Sequence, residues 1–148
     1  MTILQTMRQA IAGGRQLVPV ADLLGFRLTA IEPGRTTVTL DTRAAHTNPM
    51  GAVHGGVLGA IADTAMGLAY GSTLDEGESF TTIELKINFL RPVRLTSLVA
   101  EGTVVHRGRR MGLAECTITD STGRLVAKAT STCMTVPPAG SGQPDMGA

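Results

Sequence analysis

One acidic residue, Asp63, stands within an otherwise apolar stretch and is the first candidate for chemistry. From Val57 to Tyr70 nearly every other side chain is apolar or small, so we expect a helix that is hydrophobic on all sides and therefore buried. A carboxylate buried without partners is costly or has its pKa raised, and enzymes use such acids as general bases and nucleophiles. The sequence therefore predicts a chemical role for Asp63; the alternative is a structural buried acid whose hydrogen bonds are all satisfied.

Two glycines flank this acid at helical spacing. Gly59, Asp63 and Gly67 fall at positions i, i+4 and i+8, which line one face of an α-helix. Neighbours without side chains leave the carboxylate open to a ligand. The spacing favours the chemical role over the structural one.

The segment His54-Gly55-Gly56 stands where the chain enters this helix. The first N–H groups of a helix lack partners within it and carry the positive end of the helix dipole. Gly55 and Gly56 allow a substrate oxygen to approach these donors closely. A carbonyl group held at Gly55 would be polarised, as in an oxyanion hole. The alternative is that both glycines serve only to form a turn.

Gly55 and Asp63 are too far apart to act on one carbonyl group within a single chain. They are separated by eight residues, which is roughly 12 Å along a continuous helix at about 1.5 Å per residue. A two-fold symmetric partner with an antiparallel helix would bring its own Asp63 opposite this Gly55. The spacing therefore predicts an obligate homodimer with two shared sites.

Several motifs follow one another along the chain: Asn48, Gly51, His54-Gly55-Gly56, Asp63 and Phe89-Leu90-Arg91-Pro92. Over roughly residues 20 to 136, this pattern resembles the hot-dog-fold acyl-CoA thioesterases, in particular the branch with phenylacetyl-CoA and 4-hydroxybenzoyl-CoA thioesterases. The resemblance implies hydrolysis of an acyl-CoA, with an aromatic acyl group as a guess, at the interface of a homodimer that joins a second dimer into a homotetramer. It also implies that Asp63 of one subunit faces the Gly55 N–H of the other.

The same resemblance assigns roles to three further residues. Asn48 matches an asparagine that contacts the reacting group or water, His54 matches the histidine that opens the helix, and Thr82 falls where a Ser or Thr orients the hydrolytic water. A one-residue slip in the strand would give that last role to Thr81 on the opposite face. Alternatively, Asn48 only begins a turn and His54 only caps the helix. Some relatives have Glu in place of Asp63, so direct attack and activation of water both stay open.

Three arginines in a turn are candidates for binding the phosphates of coenzyme A. Arg107, Arg109 and Arg110 supply guanidinium groups that form bidentate, charge-assisted bonds with phosphate. The alternative is a solvated hairpin corner. Arg91 is a further candidate for ligand contact, unless it pairs with a surface acid such as Glu84.

Length and charge limit the other functions. The chain has 148 residues, which predicts one domain, and its net charge is +1 from 13 basic and 12 acidic residues. That balance argues against nucleic acid as a partner. There is no basic and apolar leader, and the apolar run is too short and too rich in glycine to span a bilayer. We expect a cytoplasmic protein without membrane contact.

The sequence contains no motif for a metal or a cofactor. Cys116 and Cys133 are far apart and read as ordinary buried thiols. The three histidines lack the spacing of metal ligands, and neither a Walker nor a Rossmann glycine pattern is present. The prediction is that neither a metal nor a cofactor is needed.

The remaining elements predict an α+β fold in which an antiparallel sheet of about five to six strands wraps around one long central helix. Short helices are expected within residues 1–24, a hairpin over residues 25–40, and the long helix after a polar loop. Ile83, Leu85, Ile87 and Phe89 alternate with polar residues, which predicts a half-exposed strand. Further strands are expected over residues 97–106, 111–120 and 124–136. The domain spans residues 1–136, and a flexible Pro- and Gly-rich tail follows over residues 137–148.

Together these patterns predict an acyl-CoA thioesterase. Gly55 N–H would bind the thioester carbonyl while Asp63 of the partner subunit attacks it or deprotonates water. A non-catalytic acyl-CoA-binding protein with the same fold is the alternative, and the presence of Asp63 argues against it. A hot-dog dehydratase or hydratase pairs a His with an acid in a sequence setting that is absent here.

Overall fold

One antiparallel sheet and one long helix account for most of the protein, as a computed structural model of residues 1–138 shows. The predicted tail, apart from Pro137 and Pro138, lies outside the described residues. The helices are α1 (Ile3–Ala12), α2 (Pro19–Leu24) and α3 (Gly55–Gly71), with a short 3-10 turn at Ala44–His46. The strands are β1 (Arg27–Glu32), β2 (Arg35–Asp41), β3 (Ser79–Phe89), β4 (Ser97–Arg107), β5 (Met111–Asp120) and β6 (Leu125–Val136). None of these helices has the length and hydropathy to cross a bilayer.

The six strands lie in the order β1-β2-β4-β5-β6-β3, and every neighbouring pair is antiparallel. Helix α3 packs against this sheet, so the predicted hot-dog architecture is confirmed. β1 and β3 are the edge strands. The helix and strand boundaries differ from the predicted ones by a few residues. Pro19 is the first residue of α2, a position where proline is tolerated because the first N–H groups of a helix have no partner within it.

The backbone of α3 touches the backbone of the sheet at Ala65. A side chain at Gly102 of β4 would overlap the Ala65 carbonyl oxygen, so only glycine permits this approach. The buried Thr36 hydroxyl, on β2, donates a hydrogen bond of 2.6 Å to the same oxygen. Ile61, fully buried one turn earlier, packs in the main hydrophobic core. These contacts fix the position of α3 along its axis, and with it the position of Asp63.

Tyr70 anchors the last turn of α3. Its ring is fully buried and lies against Gly112, where an added Cβ would come within 2.5 Å of the ring. Its hydroxyl is 2.7 Å from the Thr135 hydroxyl. The Arg107 guanidinium covers the ring at 4.9 Å from its centroid, which is within the range of a cation–π contact.

Strand β3 departs from the strict alternation that its sequence predicts. Its pairing with β6 shifts between Thr82 and Glu84, which makes Ile83 the extra residue of a β-bulge. Ile83 is therefore exposed and does not share a face with Leu85, so the prediction was wrong at this position. The bulge instead brings Thr82 to the helix side together with Leu85.

The turn between β5 and β6 is closed by the carboxylate of Asp120. Oδ1 accepts hydrogen bonds from the backbone N–H and hydroxyl of Thr122 and from the N–H of Arg124. Oδ2 accepts from the Arg124 guanidinium at 2.9 Å. These bonds, of which that from the Thr122 hydroxyl has the largest effect, hold the pKa of Asp120 well below its ordinary value of 3.8.

We expect Asp120→Asn to lower the melting temperature at neutral pH. The carboxyl group has a lower pKa in the folded state than in the unfolded chain, so its stabilisation is present above about pH 4 and is lost as the pH falls further. Thermal unfolding from neutral pH to about pH 3 should show the two proteins converging. Glu115→Gln, which removes an exposed ion pair with Lys128, is the matched control and should change little. A constant difference at every pH would contradict the role of the charge.

Candidate active site

Asp63 lies on an exposed face of α3, which corrects the expectation of a helix buried on all sides. From Ala65 to Gly71 every residue of α3 is buried, but Gly56 and Asp63 in the first half are exposed and Gly59 is half-buried. No described residue lies within 4 Å of a Cβ built on Gly59. The reason for the difference is that the sheet covers one side of α3 there, and nothing in residues 1–138 covers the other. The carboxylate is thus open to a ligand in the isolated chain.

The Thr82 hydroxyl donates a hydrogen bond of 3.1 Å to Oδ1 of Asp63. The bulge at Ile83 produces this contact, because it turns Thr82 toward α3 and leaves Thr81 exposed. Within residues 1–138 the second carboxylate oxygen, Oδ2, accepts no hydrogen bond. Asp63 therefore has one oxygen held in place and one free to react.

The start of α3 is capped by His54. Its Nδ1 accepts a hydrogen bond of 2.8 Å from the N–H of Gly56, so the capping interpretation of His54 holds and the proton of the neutral ring is on Nε2. The N–H of Gly56 is thereby used inside the protein. The N–H of Gly55, by contrast, has no acceptor within the described residues. Of the two glycines predicted to bind substrate, only Gly55 offers a free backbone donor.

A cavity of about 500 Å³ opens beside Gly55. Its walls are mainly apolar, with one aromatic ring and two polar side chains. The lining residues are Asn48, Met50, Ala52, Val53, Gly55, Leu58, Phe89, Leu90, Arg91, Pro92 and Val93. The Phe89 ring rests on Gly55, where an added Cβ would lie 2.8 Å from the ring. A group bound to the Gly55 N–H would therefore lie next to an apolar chamber.

Asn48 forms the turn that leads into this cavity. Its Oδ1 accepts hydrogen bonds from the N–H groups of Met50 and Ala52, at 3.0 and 3.1 Å, as in an Asx turn. Its side chain also lines the cavity. The turn role is thus present, and the amide nitrogen forms no hydrogen bond within residues 1–138. That nitrogen is the group through which Asn48 could also contact a substrate.

Arg94, which the sequence did not single out, holds the outer side of the same turn. Its guanidinium donates to the carbonyl oxygens of Met50 and Gly51 at 3.4 and 3.3 Å. Gly51 has a φ of +75°, a conformation that favours glycine. No local pattern signals this contact, because the donor lies more than forty residues beyond its acceptors in the sequence.

Arg91 lines the cavity and is exposed. The alternative partner considered for it, Glu84, accepts a long hydrogen bond of 3.4 Å from Thr132 instead. Arg91 forms no ion pair in the described part of the chain. Its charge is therefore free to bind an anionic group.

The arginine turn lies at the other end of α3. Arg107 donates to the Thr73 hydroxyl at 3.2 Å and covers Tyr70, so it has a structural role there. Arg109 and Arg110 are exposed and form no ion pair within residues 1–138. The cavity begins at the first residue of α3, which is about 24 Å from its last residue. A single chain does not bring the two together.

Both cysteines, Cys116 and Cys133, are free thiols buried in the protein. Burial raises the pKa of Cys116 to about 12 and also raises that of Cys133, so both remain protonated at neutral pH and are poor nucleophiles. Cys133 is paired with Thr82 across β3 and β6. Within residues 1–138 no three His, Cys, Asp or Glu side chains cluster in a way that could hold a metal ion.

Comparison with known proteins places these features in a family. A model of the thioesterase superfamily matches residues 50–127, which include Gly55, Asp63 and Thr82. The PaaI protein of E. coli, from its phenylacetic acid degradation operon, superposes with a TM-score of 0.81 at 25% identity, over 93% of this chain and 98% of that one. A thioesterase family protein from Silicibacter pomeroyi gives 0.80 at 30% identity, over 91% and 98% of the two chains.

A third similar protein is named for its reaction. The 1,4-dihydroxy-2-naphthoyl-CoA hydrolase of Listeria monocytogenes is 25% identical over 105 residues. The match spans 71% of this chain and 85% of the hydrolase.

Proposed function

The chain belongs to the thioesterase superfamily, and we propose that this thioester hydrolase cleaves an acyl-CoA into a free acid and coenzyme A. The observation that carries the proposal is the state of Asp63. It is exposed on a glycine-flanked helix face, one of its oxygens is held by Thr82, and the other is free. A carboxylate in this state serves as a nucleophile or a general base.

The site needs two chains. α3 is continuous from Gly55 to Gly71, so the Gly55 N–H and the Asp63 carboxylate are about 12 Å apart along its axis. We propose a homodimer in which antiparallel α3 helices set Asp63 of one chain against Gly55 of the other. The uncovered face around Gly59 has room for a partner. The free edge of β3, with Ile83 and Phe89 exposed, is the type of edge that pairs with another chain.

In this dimer the thioester carbonyl oxygen accepts a hydrogen bond from Gly55 N–H at the positive end of α3. Asp63 of the other chain then acts by one of two routes. It attacks the carbonyl carbon to form an anhydride that water cleaves, or it removes a proton from the attacking water. In the first route the C–S bond breaks as the anhydride forms, and water then cleaves the anhydride to regenerate Asp63. In the second route water adds to the acyl carbon and the C–S bond then breaks. In both routes the thiolate of coenzyme A leaves and takes up a proton.

The cavity beside Gly55 favours an apolar acyl group. Its volume of about 500 Å³ lies within the usual range of ligand sites, and Phe89 supplies an aromatic wall. We therefore include aromatic acyl groups in the proposal, with aliphatic groups of similar size as competitors. Measured hydrolysis rates for phenylacetyl-, benzoyl- and hexanoyl-CoA would show which class of acyl group the protein prefers.

The phosphates of coenzyme A are assigned to Arg109 and Arg110 of the opposite chain, together with Arg91 at the cavity. In the register that sets Asp63 opposite Gly55, the last residue of one α3 helix lies roughly 12 Å beyond the first residue of the other, because Gly71 is eight residues past Asp63. Along the axis, the end of α3 that carries the arginine turn is then about half as far from the partner's Gly55 as from its own, which is about 24 Å away. Association of two dimers is also part of the proposal. The exposed Val105, Met111 and Leu113 on β4 and β5 are candidates for that contact.

We expect Asp63→Asn to lower kcat for acyl-CoA hydrolysis at least about 100-fold, because the amide keeps the shape but is neither a base nor a nucleophile. Release of free thiol, followed with a thiol reagent, measures the rate. Asp75→Asn changes an exposed acid outside the site and should retain wild-type activity. A kcat for Asp63→Asn within twofold of wild type would show that this acid is structural.

Substitution of Gly55 tests its N–H directly. Gly55→Pro removes the N–H at the first position of α3, where proline is tolerated. Gly55→Ala adds a Cβ against Phe89 in the same way but keeps the N–H, so it is the matched control. We expect Gly55→Pro to be at least about tenfold slower than Gly55→Ala.

Mixing inactive chains tests whether the site is shared. A heterodimer of Gly55→Pro and Asp63→Asn chains has one site with both defects and one with none. Random mixing should therefore restore about a quarter of the wild-type activity, since about half of the dimers are mixed. No recovery, in a mixture shown by mass spectrometry to contain heterodimers, would rule out the shared site.

The double variant Arg109→Ala, Arg110→Ala should raise KM for acyl-CoA about tenfold, because two charge-assisted contacts are lost. The KM for the corresponding acyl-pantetheine, which lacks the nucleotide phosphates, should not change. Arg8→Ala, which removes an arginine on α1 instead, serves as the control. An equal rise of KM for both substrates would contradict the phosphate assignment.

A further inference from the structure

A row of small polar side chains leads from the interior of the sheet to Asp63. Ser131 and Cys133 are neighbours on the inner face of β6, both fully buried, with Oγ and Sγ 3.8 Å apart. Cys133 is paired with Thr82 of β3, and directly paired residues have Cβ atoms about 4.5–5.5 Å apart. Thr82 in turn donates to Asp63 at 3.1 Å. The four side chains therefore form one continuous row.

The carboxylate at the end of the row determines the direction of each hydrogen bond. An ionised carboxylate only accepts, so the single hydroxyl proton of Thr82 is committed to Asp63. Thr82 Oγ1 can then only accept from Cys133, whose thiol stays protonated because burial raises its pKa. Sγ is left to accept the Ser131 proton, which satisfies an otherwise buried hydroxyl.

We propose that Cys133 is a positioning residue for the hydrolysis proposed above: its S–H donates to Thr82 Oγ1 and so holds the Thr82 hydroxyl toward Asp63. The inference rests on the proposed function of Asp63. The Cys133 thiol does not touch the substrate. It acts through Thr82, which keeps one carboxylate oxygen bound and the other directed outward. A buried neutral thiol suits this position because it donates a proton without competing as a nucleophile.

Kinetics of matched variants test the inference. We expect Cys133→Ala to lower kcat about five- to tenfold with KM unchanged, and Cys133→Ser, which keeps a donor and an acceptor, to restore at least half of the lost activity. Cys116→Ala removes a comparably buried thiol that donates its hydrogen bond to the Thr117 carbonyl and should leave kcat unchanged.

A double-mutant cycle separates positioning from a general packing effect. If Cys133 acts through Thr82, the variant with both Thr82→Val and Cys133→Ala should have the same kcat as Thr82→Val alone. Multiplication of the two losses, or equal losses in Cys133→Ala, Cys133→Ser and Cys116→Ala, would overturn the proposal. Wild-type kcat in Cys133→Ala, in a protein whose Asp63→Asn variant is inactive, would also overturn it and leave the proposed function intact.

The S–H stretching band in the infrared spectrum gives a second test that does not depend on Cys133→Ala folding. In Cys116→Ala protein, Cys133 is the remaining thiol of the chain. Its band should have the lowered frequency of a hydrogen-bonded donor and should move toward that of a free thiol when Thr82→Val is added. A free-thiol band before Thr82 is changed would overturn the proposal.

Discussion

Within α3, the backbone hydrogen bonds keep the free N–H of Gly55 and the free carboxylate oxygen of Asp63 about 12 Å apart along one axis. In the proposed mechanism, the N–H is the donor for a developing oxyanion and the carboxylate is the nucleophile or base. A rigid helix cannot fold back to join them. The symmetric dimer proposed above would join the two groups, cover the exposed face of α3 and pair the open edge of β3.

Glycines determine how the helix sits in the sheet. At Gly102 and Gly112 the sheet accommodates the Ala65 carbonyl and the Tyr70 ring, and at Gly67 and Gly71 the helix accommodates the Phe80 ring. These close contacts fix α3 at its middle and its end. Gly59 differs, because the space beside it is empty. Glycine thus marks contacts within the chain at Gly67 and Gly71 and a vacant surface at Gly59.

Much of the fold was readable from the sequence because periodic apolar patterns and turn residues act locally. Such local rules predict the position of α3, the ends of four strands and the polar character of the His54-Gly55-Gly56 segment at the start of α3. The bulge at Ile83 does not, because it depends on how β3 pairs with β6. Without it, alternation places Thr82 on the wrong face for Asp63.

The remaining differences also arise from tertiary contacts. Arg94 reaches back to the turn at Gly51, and Arg107 is held by Tyr70 rather than standing free beside Arg109. Composition likewise suggested that α3 is surrounded by protein. A helix without charges on most of its surface is equally compatible with a face reserved for another molecule, and the sequence of one chain does not distinguish these cases.

The exposure of Asp63 separates folding from activation. The isolated chain completes its core with this carboxylate still hydrated, so dehydrating the charge is a cost of association and does not oppose folding. If the dimer forms as proposed, dilution would dissociate it into folded but inactive chains. A higher protein concentration would restore the dimer and its activity. Protein concentration itself would then regulate the specific activity.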